Sequence, residues 1–377
     1  MSLFQLNIPT KVYYGRKIVQ DVLQKESYLF AGNVLIVTTG RSLVRLGYLE
    51  ELKKEIEAIE TVKNVYIFDN VSANPRLTEV EDGIAFGKEN CVDVVIGFGG
   101  GSAMDAAKAI AAGIGNDEAV EEFFYGGKEP GKETLPIIAI PTTAGTGSEL
   151  SKAAIITDDI RKFKNGIRGK AMYPVLSIVD SVYTETVPRH ITMETGFDVL
   201  AHAIESYVSK AASPYTEMLS KQAIEIVGKY LPRLGMDMND VEARRQMSFA
   251  SMLMGINLGN ASTALPHRMQ YPLGAHTDTS HGAGLAALFP AWIRYEVKYS
   301  PEKMARAAEL LTGIEQADAE KCIIEFIKKL GLPASLRELG VKEEQLMQMA
   351  EEVTGNIQND PAAQEKDIIL KIYKEAF

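Results

Sequence analysis

Several features are scarce in this 377-residue sequence, and each scarcity excludes a class of protein. The two cysteines, Cys91 and Cys322, are too few for a disulfide framework and are most simply interpreted as small buried apolar side chains. No apolar run reaches the ~20 residues of a membrane-spanning helix, and the N-terminus lacks the basic and apolar regions of a signal peptide. The net charge of −10 gives no basic excess for nucleic acid or an anionic membrane. We therefore expect a cytoplasmic protein with neither a nucleic-acid nor a membrane partner.

The hydrophobic pattern changes near the middle of the chain and predicts two domains. In the first half, short apolar runs such as 33–38 and 92–97 alternate with amphipathic stretches, which is typical of a parallel sheet covered by helices on both faces. From Thr192 onward almost every stretch has helical periodicity. We predict an α/β domain over residues 1–188 and an all-helical domain over residues 189–377.

The same pattern predicts individual elements. Residues 4–14 indicate an edge strand or a short β-hairpin, residues 42–59 a single amphipathic helix, and residues 153–157 with 164–168 a β-hairpin. The helices predicted for the second domain span about 193–209, 214–231, 240–258, 282–296, 301–313, 317–330, 343–353 and 361–375.

Four of the five histidines lie between residues 196 and 281, together with Asp198. Asp198 and His202 are four positions apart, so on a helix they share one face, with Cβ atoms about 5–6 Å apart. His267 and His281 are placed to complete a site from a second segment. Three imidazoles and one carboxylate suit a divalent transition metal such as Zn or Fe(II). Taken alone, Asp198 and His202 are also consistent with an ordinary helix pair.

A glycine-rich segment at residues 97–101, Gly-Phe-Gly-Gly-Gly, follows a predicted strand and opens a predicted helix. Glycines let a ligand approach the backbone, and the N–H groups and dipole of a helix N-terminus favour a phosphate. Ser102 and Asp105 have the spacing of an N-cap pair, so a capped helix after a tight turn is the alternative. The glycine spacing also differs from G-x-G-x-x-G. The segment therefore predicts a phosphate site without the usual dinucleotide fingerprint.

Residues 141–149, Pro-Thr-Thr-Ala-Gly-Thr-Gly-Ser-Glu, also follow a predicted strand. The hydroxyls and glycines of this loop can donate several hydrogen bonds to a phosphate or a carboxamide. A solvated turn is the simpler alternative, but a loop at the carboxyl end of a parallel strand is a common position for a binding site. The placement of this loop therefore favours a binding site over a solvated turn.

These motifs together resemble those of the iron-containing (group III) alcohol dehydrogenases. The resemblance covers nearly the whole chain and includes the order of the motifs and the fourteen-residue spacing from His267 to His281. It implies a dinucleotide-binding α/β domain, a helical metal-binding domain, a dehydroquinate synthase-like fold and a homodimer. It also implies that Fe(II) or Zn binds to Asp198, His202, His267 and His281. The residues implied to contact an NAD(P) cofactor are Gly100, Gly101, Ser102, Thr142, Thr143, Thr146 and Lys164. We add Asp105 to this set because it pairs with Ser102 at the start of the predicted helix.

The resemblance implies hydride transfer between NAD(P)(H) and a small primary alcohol or aldehyde, with the metal as a Lewis acid on the alcohol oxygen. Polyol oxidation of the glycerol dehydrogenase type is one alternative. A metal- and NAD-dependent lyase of the dehydroquinate synthase type is another, but its sugar acid phosphate calls for a basic cluster, and Arg268 is the only Lys or Arg between His267 and His281. A catalytically silent binding protein is opposed by the complete set of four metal ligands.

One departure from the family concerns Tyr271, which stands where many members have a second histidine four residues after the third metal ligand. The tyrosine leaves the metal set complete but changes the route for the proton. Its hydroxyl is a candidate catalytic proton relay, and a packing aromatic is the alternative. Of the remaining histidines, His190 is expected at the surface or domain boundary. His276 is expected to make local hydrogen bonds, with a place in the substrate pocket as its alternative.

A second departure lies after the first internal strand, where NAD-preferring members often have an aspartate for the adenosine ribose. Here the sequence reads Thr38-Thr39-Gly40-Arg41-Ser42. A carboxylate at this position repels a 2′-phosphate, whereas a small residue beside Arg or Ser accepts one. We therefore expect Thr39 and Ser42 to contact the cofactor and NADP(H) to be favoured over NAD(H).

Overall fold

The computed structural model describes residues 3–377, and the chain divides into two compact units. The α/β unit consists of residues 8–143 and 148–184. The helical unit consists of residues 3–7, 144–147 and 185–377. The division falls before residue 185, close to the predicted boundary after residue 188, and the short segment 144–147 interrupts the α/β unit.

The α/β unit is built on a six-stranded sheet in which every neighbouring pair is parallel. The strands of the described residues are β1 (Lys11–Gly15), β2 (Gly32–Thr39), β3 (Val62–Val71), β4 (Val94–Gly99), β5 (Ile137–Pro141), β6 (Ala153–Asp158), β7 (Phe163–Arg168) and β8 (Leu176–Asp180). Their order in the sheet is β1-β8-β5-β4-β2-β3, and β6 and β7 form the predicted antiparallel hairpin. Strand β3, which follows β2 in the chain, lies on one side of β2, and β4, which follows β3, lies on the other side. The switch point where ligands bind to such sheets therefore lies between β2 and β4.

The core of this unit lies on both faces of the sheet. Along β2, Leu35 and Val37 pack into one apolar cluster, and Val34 and Ile36 pack into the other. Successive side chains of a strand point to opposite faces, so a strand buried on both sides is apolar throughout. The continuous apolar runs of the sequence therefore follow from a sheet that is covered on both faces, as predicted.

Helices of the α/β unit cover the sheet, and one of them departs from the prediction. They are α1 (Val19–Lys25), α2 (Ser42–Arg45), α3 (Tyr48–Glu57), α4 (Leu77–Glu89), α5 (Gly101–Gly115) and α6 (Val120–Phe124). The single helix expected over residues 42–59 is wrong, because Gly47 adopts a left-handed φ of 77° between α2 and α3. Such a conformation ends a helix and costs glycine little.

Strand β1 is an edge strand that pairs in parallel with β8, so the hairpin alternative for residues 4–14 is excluded. The turn after it is fixed by Asp180, the last residue of β8. Its carboxylate accepts the backbone N–H groups of Lys17 at 2.7 Å, Ile18 at 2.7 Å and Val19 at 3.3 Å. One buried carboxylate thereby holds the edge strand and the start of α1 against the sheet.

The helical unit contains α7 (Arg189–Val208), α8 (Pro214–Met236), α9 (Val241–Asn260), α10 (Leu265–Thr277), α11 (His281–Tyr299), α12 (Pro301–Thr312), α13 (Ala319–Leu330), α14 (Gln345–Glu351) and α15 (Ile368–Ala376). The sequence did not predict α10, because it contains Pro266 and Pro272 and is buried on all sides up to Ala275, which removes any amphipathic period. The helix expected over 361–375 is wrong in its first half, because a 3₁₀ turn precedes Asp367, which has a left-handed φ of 58°. None of the helices within residues 3–377 is long and apolar enough to cross a membrane.

Asp360, near the C-terminus, supports the start of α10. Its buried carboxylate accepts the backbone N–H of Leu265 and the indole N–H of Trp292, both at 2.9 Å, and the backbone N–H of Ala362 at 2.7 Å. Burial, together with the neighbouring Asp360, raises the pKa of Glu296 to about 9. Glu296 is therefore protonated at neutral pH, and the close pair of carboxyl groups avoids mutual repulsion.

Replacing Asp180 tests how much the α/β unit depends on this carboxylate. We expect Asp180→Ala to lower the free energy of unfolding by about 2–4 kcal/mol, because it leaves several backbone N–H groups without an acceptor. Urea denaturation followed by circular dichroism measures this change. Asp69→Ala, which removes an exposed carboxylate from β3, is the matched control and should have little effect. Equal stabilities of the two variants would contradict the role of Asp180.

Candidate metal centre and cofactor loops

Helix α7 supplies the first two candidate metal ligands. Every residue from Gly196 to Val208 is buried, so the helix has no solvent-facing side in this region. Asp198 and His202 lie one turn apart, and Nδ1 of His202 is 3.3 Å from Oδ1 of Asp198. Both side chains are nearly inaccessible, which is unusual for a carboxylate unless it is paired or binds a cation.

Helices α10 and α11 bring the other two candidate ligands to the same carboxylate. Nε2 of His267 lies 3.3 Å from Oδ1 of Asp198, and Nε2 of His281 lies 3.8 Å from the same atom. One ligand atom from each of Asp198, His267 and His281 lies within 4.8 Å of the other two. The ring of His202 is centred 4.2 Å from that of His267. The structure therefore brings all four predicted ligands together inside the helical unit.

Gly282 explains how α11 comes this close to α7. A Cβ atom at this position would lie 2.2 Å from the backbone oxygen of Glu194, closer than any real contact. Only glycine lets the two helices touch here. His281, the preceding residue and the first of α11, is thereby placed beside Asp198.

The donor atoms of this cluster fit a divalent metal. Oδ1 of Asp198, Nδ1 of His202 and Nε2 of His267 are buried, and none has a hydrogen-bond partner within the described part of the chain. Buried polar atoms are normally satisfied, and each unsatisfied one costs free energy. A cation bound among them would satisfy all three. Nitrogen and oxygen donors in this ratio suit Fe(II) or Zn.

Two further side chains, neither of which was predicted from the sequence, orient the histidines. Nδ1 of His267 lies 2.6 Å from Oε1 of Glu205, and Nδ1 of His281 lies 2.6 Å from Oε1 of Gln270. Each ring therefore donates its Nδ1–H to an oxygen and turns Nε2 towards Asp198, as metal-binding histidines commonly do. Helical spacing could have indicated both residues, since Glu205 is three positions after His202 and Gln270 three after His267.

Charges within the cluster shift the pKa values of its members in opposite directions. Burial opposes the ionised form of Asp198, but His202, His281 and His267 outweigh it and lower the pKa of the carboxyl well below its usual range. Burial lowers the pKa of His202 to about 4, so this ring is neutral at pH 7. Burial also disfavours charge on His267, but Glu205 and Asp198 raise its pKa to about 10. A cation that binds to His267 must therefore displace a proton.

The glycine-rich segment lies at the carboxyl end of β4, at the switch point of the sheet. Gly100 is the N-cap residue of α5, and Gly101 is its first residue. A Cβ atom at Gly99 would lie 3.7 Å from Oγ1 of Thr39 and 3.9 Å from Oγ1 of Thr38, so the ends of β2 and β4 are adjacent. Ser42 is exposed at the start of α2. The predicted cofactor residues of these two strands therefore lie along one edge of the sheet.

The predicted N-cap pair is wrong. Helix α5 begins at Gly101 after Gly100, and it has no side-chain cap. The Ser102 hydroxyl instead donates to the backbone oxygen of Ala73. The Asp105 carboxylate, one turn further on, accepts the Ser148 hydroxyl and the Ile155 backbone N–H. Both side chains are thus engaged by neighbouring segments of the α/β unit rather than by the end of their own helix.

The remaining predicted cofactor residues lie in three different places. Thr142 donates its backbone N–H to the oxygen of Gly99 at 2.9 Å, and a Cβ atom at Gly100 would lie 3.3 Å from Oγ1 of Thr143. These two threonines therefore adjoin the glycine-rich segment, whereas Thr146 belongs to the helical unit. Lys164 lies on β7.

The Nζ of Lys164 donates to Oδ1 of Asn74 at 2.9 Å. Asn74 follows β3, directly after the Ala73 carbonyl that accepts from Ser102, and thus joins Lys164 to the carboxyl edge of the sheet. The sequence analysis missed Asn74, because nothing in its local pattern separates it from an ordinary loop residue.

Tyr271 lies on α10 one turn after His267 and is 8% exposed. Its ring is centred 5.9 Å from the guanidinium of Arg268, and its hydroxyl makes no hydrogen bond to any group of residues 3–377. His276, at the end of the same helix, pairs at 2.6 Å with Glu352, which lies 76 positions further along the chain, so the expectation of a loop histidine with local hydrogen bonds is wrong. His190 is exposed.

Comparison with known proteins identifies the family. The family model described as "Iron-containing alcohol dehydrogenase" matches residues 9–181. The one described as "Fe-containing alcohol dehydrogenase family, C-terminal" matches residues 192–377. Together they cover both units of the chain.

Individual proteins agree with this match over the full length. The chain is 33% identical over 380 residues to the NAD-dependent methanol dehydrogenase of Bacillus methanolicus, covering 98% of each sequence. It is 34% identical over 388 residues to the 1,3-propanediol dehydrogenase of Klebsiella pneumoniae, covering 100% of this chain and 99% of the relative. The structure of an archaeal halo-thermophilic Red Sea brine pool alcohol dehydrogenase superposes with a TM-score of 0.93 at 28% identity, with complete coverage of both chains. The chain therefore belongs to the iron-containing alcohol dehydrogenase family and is an oxidoreductase of the alcohol dehydrogenase type.

Proposed function

We propose that the protein interconverts small primary alcohols and aldehydes by hydride exchange with a nicotinamide cofactor, using a divalent metal held by Asp198, His202, His267 and His281. The observation that carries this proposal is the convergence of buried donor atoms without hydrogen-bond partners on the Asp198 carboxylate. The methanol and 1,3-propanediol dehydrogenases named above act, by their names, on small primary alcohols. That similarity supports the same substrate class here.

Different residues of the chain have different roles in the proposed reaction. When bound, the metal serves as a Lewis acid for the substrate oxygen, which lowers the cost of charge on that oxygen. Asp198 and the three histidines hold the cation, while Glu205 and Gln270 keep His267 and His281 in the tautomer that presents Nε2. The N-terminus of α5 offers free backbone N–H groups to the cofactor's phosphates. Tyr271 lies on α10 one turn from His267, and its hydroxyl is the candidate group for passing a proton.

The alternatives from the sequence are less well supported. The family match favours an alcohol dehydrogenase over both a glycerol dehydrogenase and a lyase of the dehydroquinate synthase type. Arg268, the only Lys or Arg between His267 and His281, donates to the Ser262 hydroxyl at 3.1 Å, and its guanidinium faces the Tyr271 ring. The sequence between these two ligands therefore lacks the basic cluster that a sugar acid phosphate requires. For the metal, the donor set admits Fe(II) and Zn, and the family name favours iron.

Removing one ligand tests the metal centre. We expect His267→Ala to lose bound iron or zinc and to lower kcat/KM for a small aldehyde by at least ~100-fold, because the Lewis acid is no longer held. Elemental analysis of the purified protein and a steady-state assay measure the two effects. His276→Ala, on the same helix but paired with Glu352, is the matched control and should keep both metal and turnover. Unchanged metal content in His267→Ala would show that the assignment is wrong.

Replacing Tyr271 tests the proton route. If its hydroxyl relays a proton, Tyr271→Phe should lower kcat by ~100-fold while the metal content stays the same, because the ring is kept and only the hydroxyl is lost. Tyr271→His restores a proton carrier and should recover part of the rate, with a shifted pH profile. Steady-state rates from pH 6 to 10 measure this. A Tyr271→Phe enzyme as active as the wild type would identify Tyr271 as a packing aromatic.

The nucleotide preference is a separate proposal. The Bacillus methanolicus relative is named as NAD-dependent. In this chain, β2 ends in Thr39 without a carboxylate, and Gly40, with a φ of 60°, leads to the exposed Arg41 and Ser42. This arrangement can accommodate a 2′-phosphate, and we propose that NADP(H) is used in preference to NAD(H).

A single charge tests that preference. Thr39→Asp should raise KM for NADPH ~10-fold or more and leave KM for NADH nearly unchanged, because the carboxylate repels the 2′-phosphate. Thr39→Asn, which has the same shape and no charge, is the control. A wild-type enzyme with the higher kcat/KM for NADH would overturn the NADP(H) preference.

The homodimer and the cytoplasmic location stay predictions.

A further inference from the structure

Lys108, on α5, is a buried cation that the proposed chemistry does not use. Its side chain is completely inaccessible, and lysine is almost never buried in this way without partners. The Nζ atom donates to the backbone oxygen of Ser148 at 2.6 Å, to the Ser148 hydroxyl oxygen at 2.6 Å and to the backbone oxygen of Ala153 at 2.9 Å. A lysine ammonium has three donors, so none is left for a ligand.

Asp105, one turn earlier on the same helix, completes the arrangement. One carboxylate oxygen accepts the Ser148 hydroxyl, and the other accepts the backbone N–H of Ile155 at 2.9 Å. The same carboxylate lies 3.6 Å from Nζ of Lys108 and offsets its charge. Burial lowers the pKa of Lys108 and raises that of Asp105, because each charge loses water. The opposite charge of the partner offsets part of this desolvation cost.

This ion pair lies at one end of the loop formed by residues 141–149. At the other end, Thr142 donates its backbone N–H to the oxygen of Gly99, directly before α5. Ser148 is the residue at which the chain returns to the α/β unit after segment 144–147. Both ends of the loop are therefore bonded to α5 or to the glycines that precede it. The glycine-rich segment and the 141–149 loop, both predicted to bind the cofactor, are therefore attached to the same helix, α5.

We propose that Lys108, together with Asp105, is a positioning residue that fixes the return of the 141–149 loop on α5 and thereby sets the affinity for the nicotinamide cofactor. Neither side chain touches the cofactor in this arrangement, because their polar atoms are already engaged. Asp105, predicted as a cofactor contact, acts through Ser148. The inference rests on the proposed function, since it assumes that the two loops bind the cofactor.

The arrangement is specific to a lysine. A methionine has nearly the same length and fills the same space, but it donates to none of the three oxygens. Replacing a buried ion pair by apolar groups is often tolerated, whereas removing one partner leaves the other unpaired. Lys108→Met therefore releases Ser148 and Ala153 and leaves the Asp105 carboxylate buried without its opposite charge.

The test compares the affinity for NADH and NADPH of the full-length, metal-loaded protein and its variants by isothermal titration calorimetry. We expect Lys108→Met to weaken binding on the order of 10- to 100-fold, because the 141–149 loop loses the hydrogen bonds that hold its end on α5. KM for the cofactor should rise by a similar factor, while kcat at saturating cofactor stays within about twofold. Lys108→Arg keeps the charge and the donors and should recover part of the affinity.

Two further variants keep the proposal testable if Lys108→Met does not fold. Asp105→Asn keeps the shape and removes the charge, and Ser148→Ala removes the hydroxyl that both groups share; each should weaken cofactor binding by a smaller factor. Thr10→Val, which removes a buried hydroxyl without a partner in the described chain at the amino end of β1, is the control and should bind the cofactor normally. Wild-type affinity in folded Lys108→Met, or in both Asp105→Asn and Ser148→Ala, would overturn the role of the pair. Failure of the wild type to bind either nucleotide would instead refute the proposed function.

Discussion

The helical unit depends on one buried carboxylate, that of Asp198. Three imidazoles from α7, α10 and α11 surround it, and two of them are held in place by Glu205 and Gln270. A charge so deeply buried is unfavourable unless opposite charge compensates for it, and the surrounding histidines supply that compensation. The packing of the three helices and the proposed binding of a cation therefore depend on the same buried atoms.

The α/β unit has a comparable point of dependence in α5. Its N-terminus receives the end of β4 at the switch point, and its buried face carries Lys108 and Asp105. A helix that presents backbone N–H groups at one end and fixes a neighbouring loop from its side determines two parts of a binding surface at once. Small shifts of this helix would change both parts together, which rigid packing of its alanine-rich face prevents.

Local patterns predicted much of this organisation, and long-range contacts account for the rest. Asp198 and His202 could be predicted because their spacing matches a helical turn, and the strands because a doubly covered sheet makes them apolar throughout. Helix α10 could not, since burial on all sides leaves no amphipathic period. The contact between Lys164 and Asn74 spans 90 residues, so no local spacing reveals it. Ser102 and Asp105 fit a capping motif, but tertiary partners compete for their side chains and prevail.

The hydrogen bond between Leu265 and Asp360 joins segments that are synthesised at different times. The N–H group of Leu265, two residues before His267, is bonded to a carboxylate 95 positions further along the chain. During synthesis from the N-terminus, α7, α10 and α11 all emerge before that carboxylate does. The helix that supplies His267 thus gains this support only after residue 360 has been synthesised. The arrangement of the four candidate metal ligands therefore depends on a segment that is made after all of them.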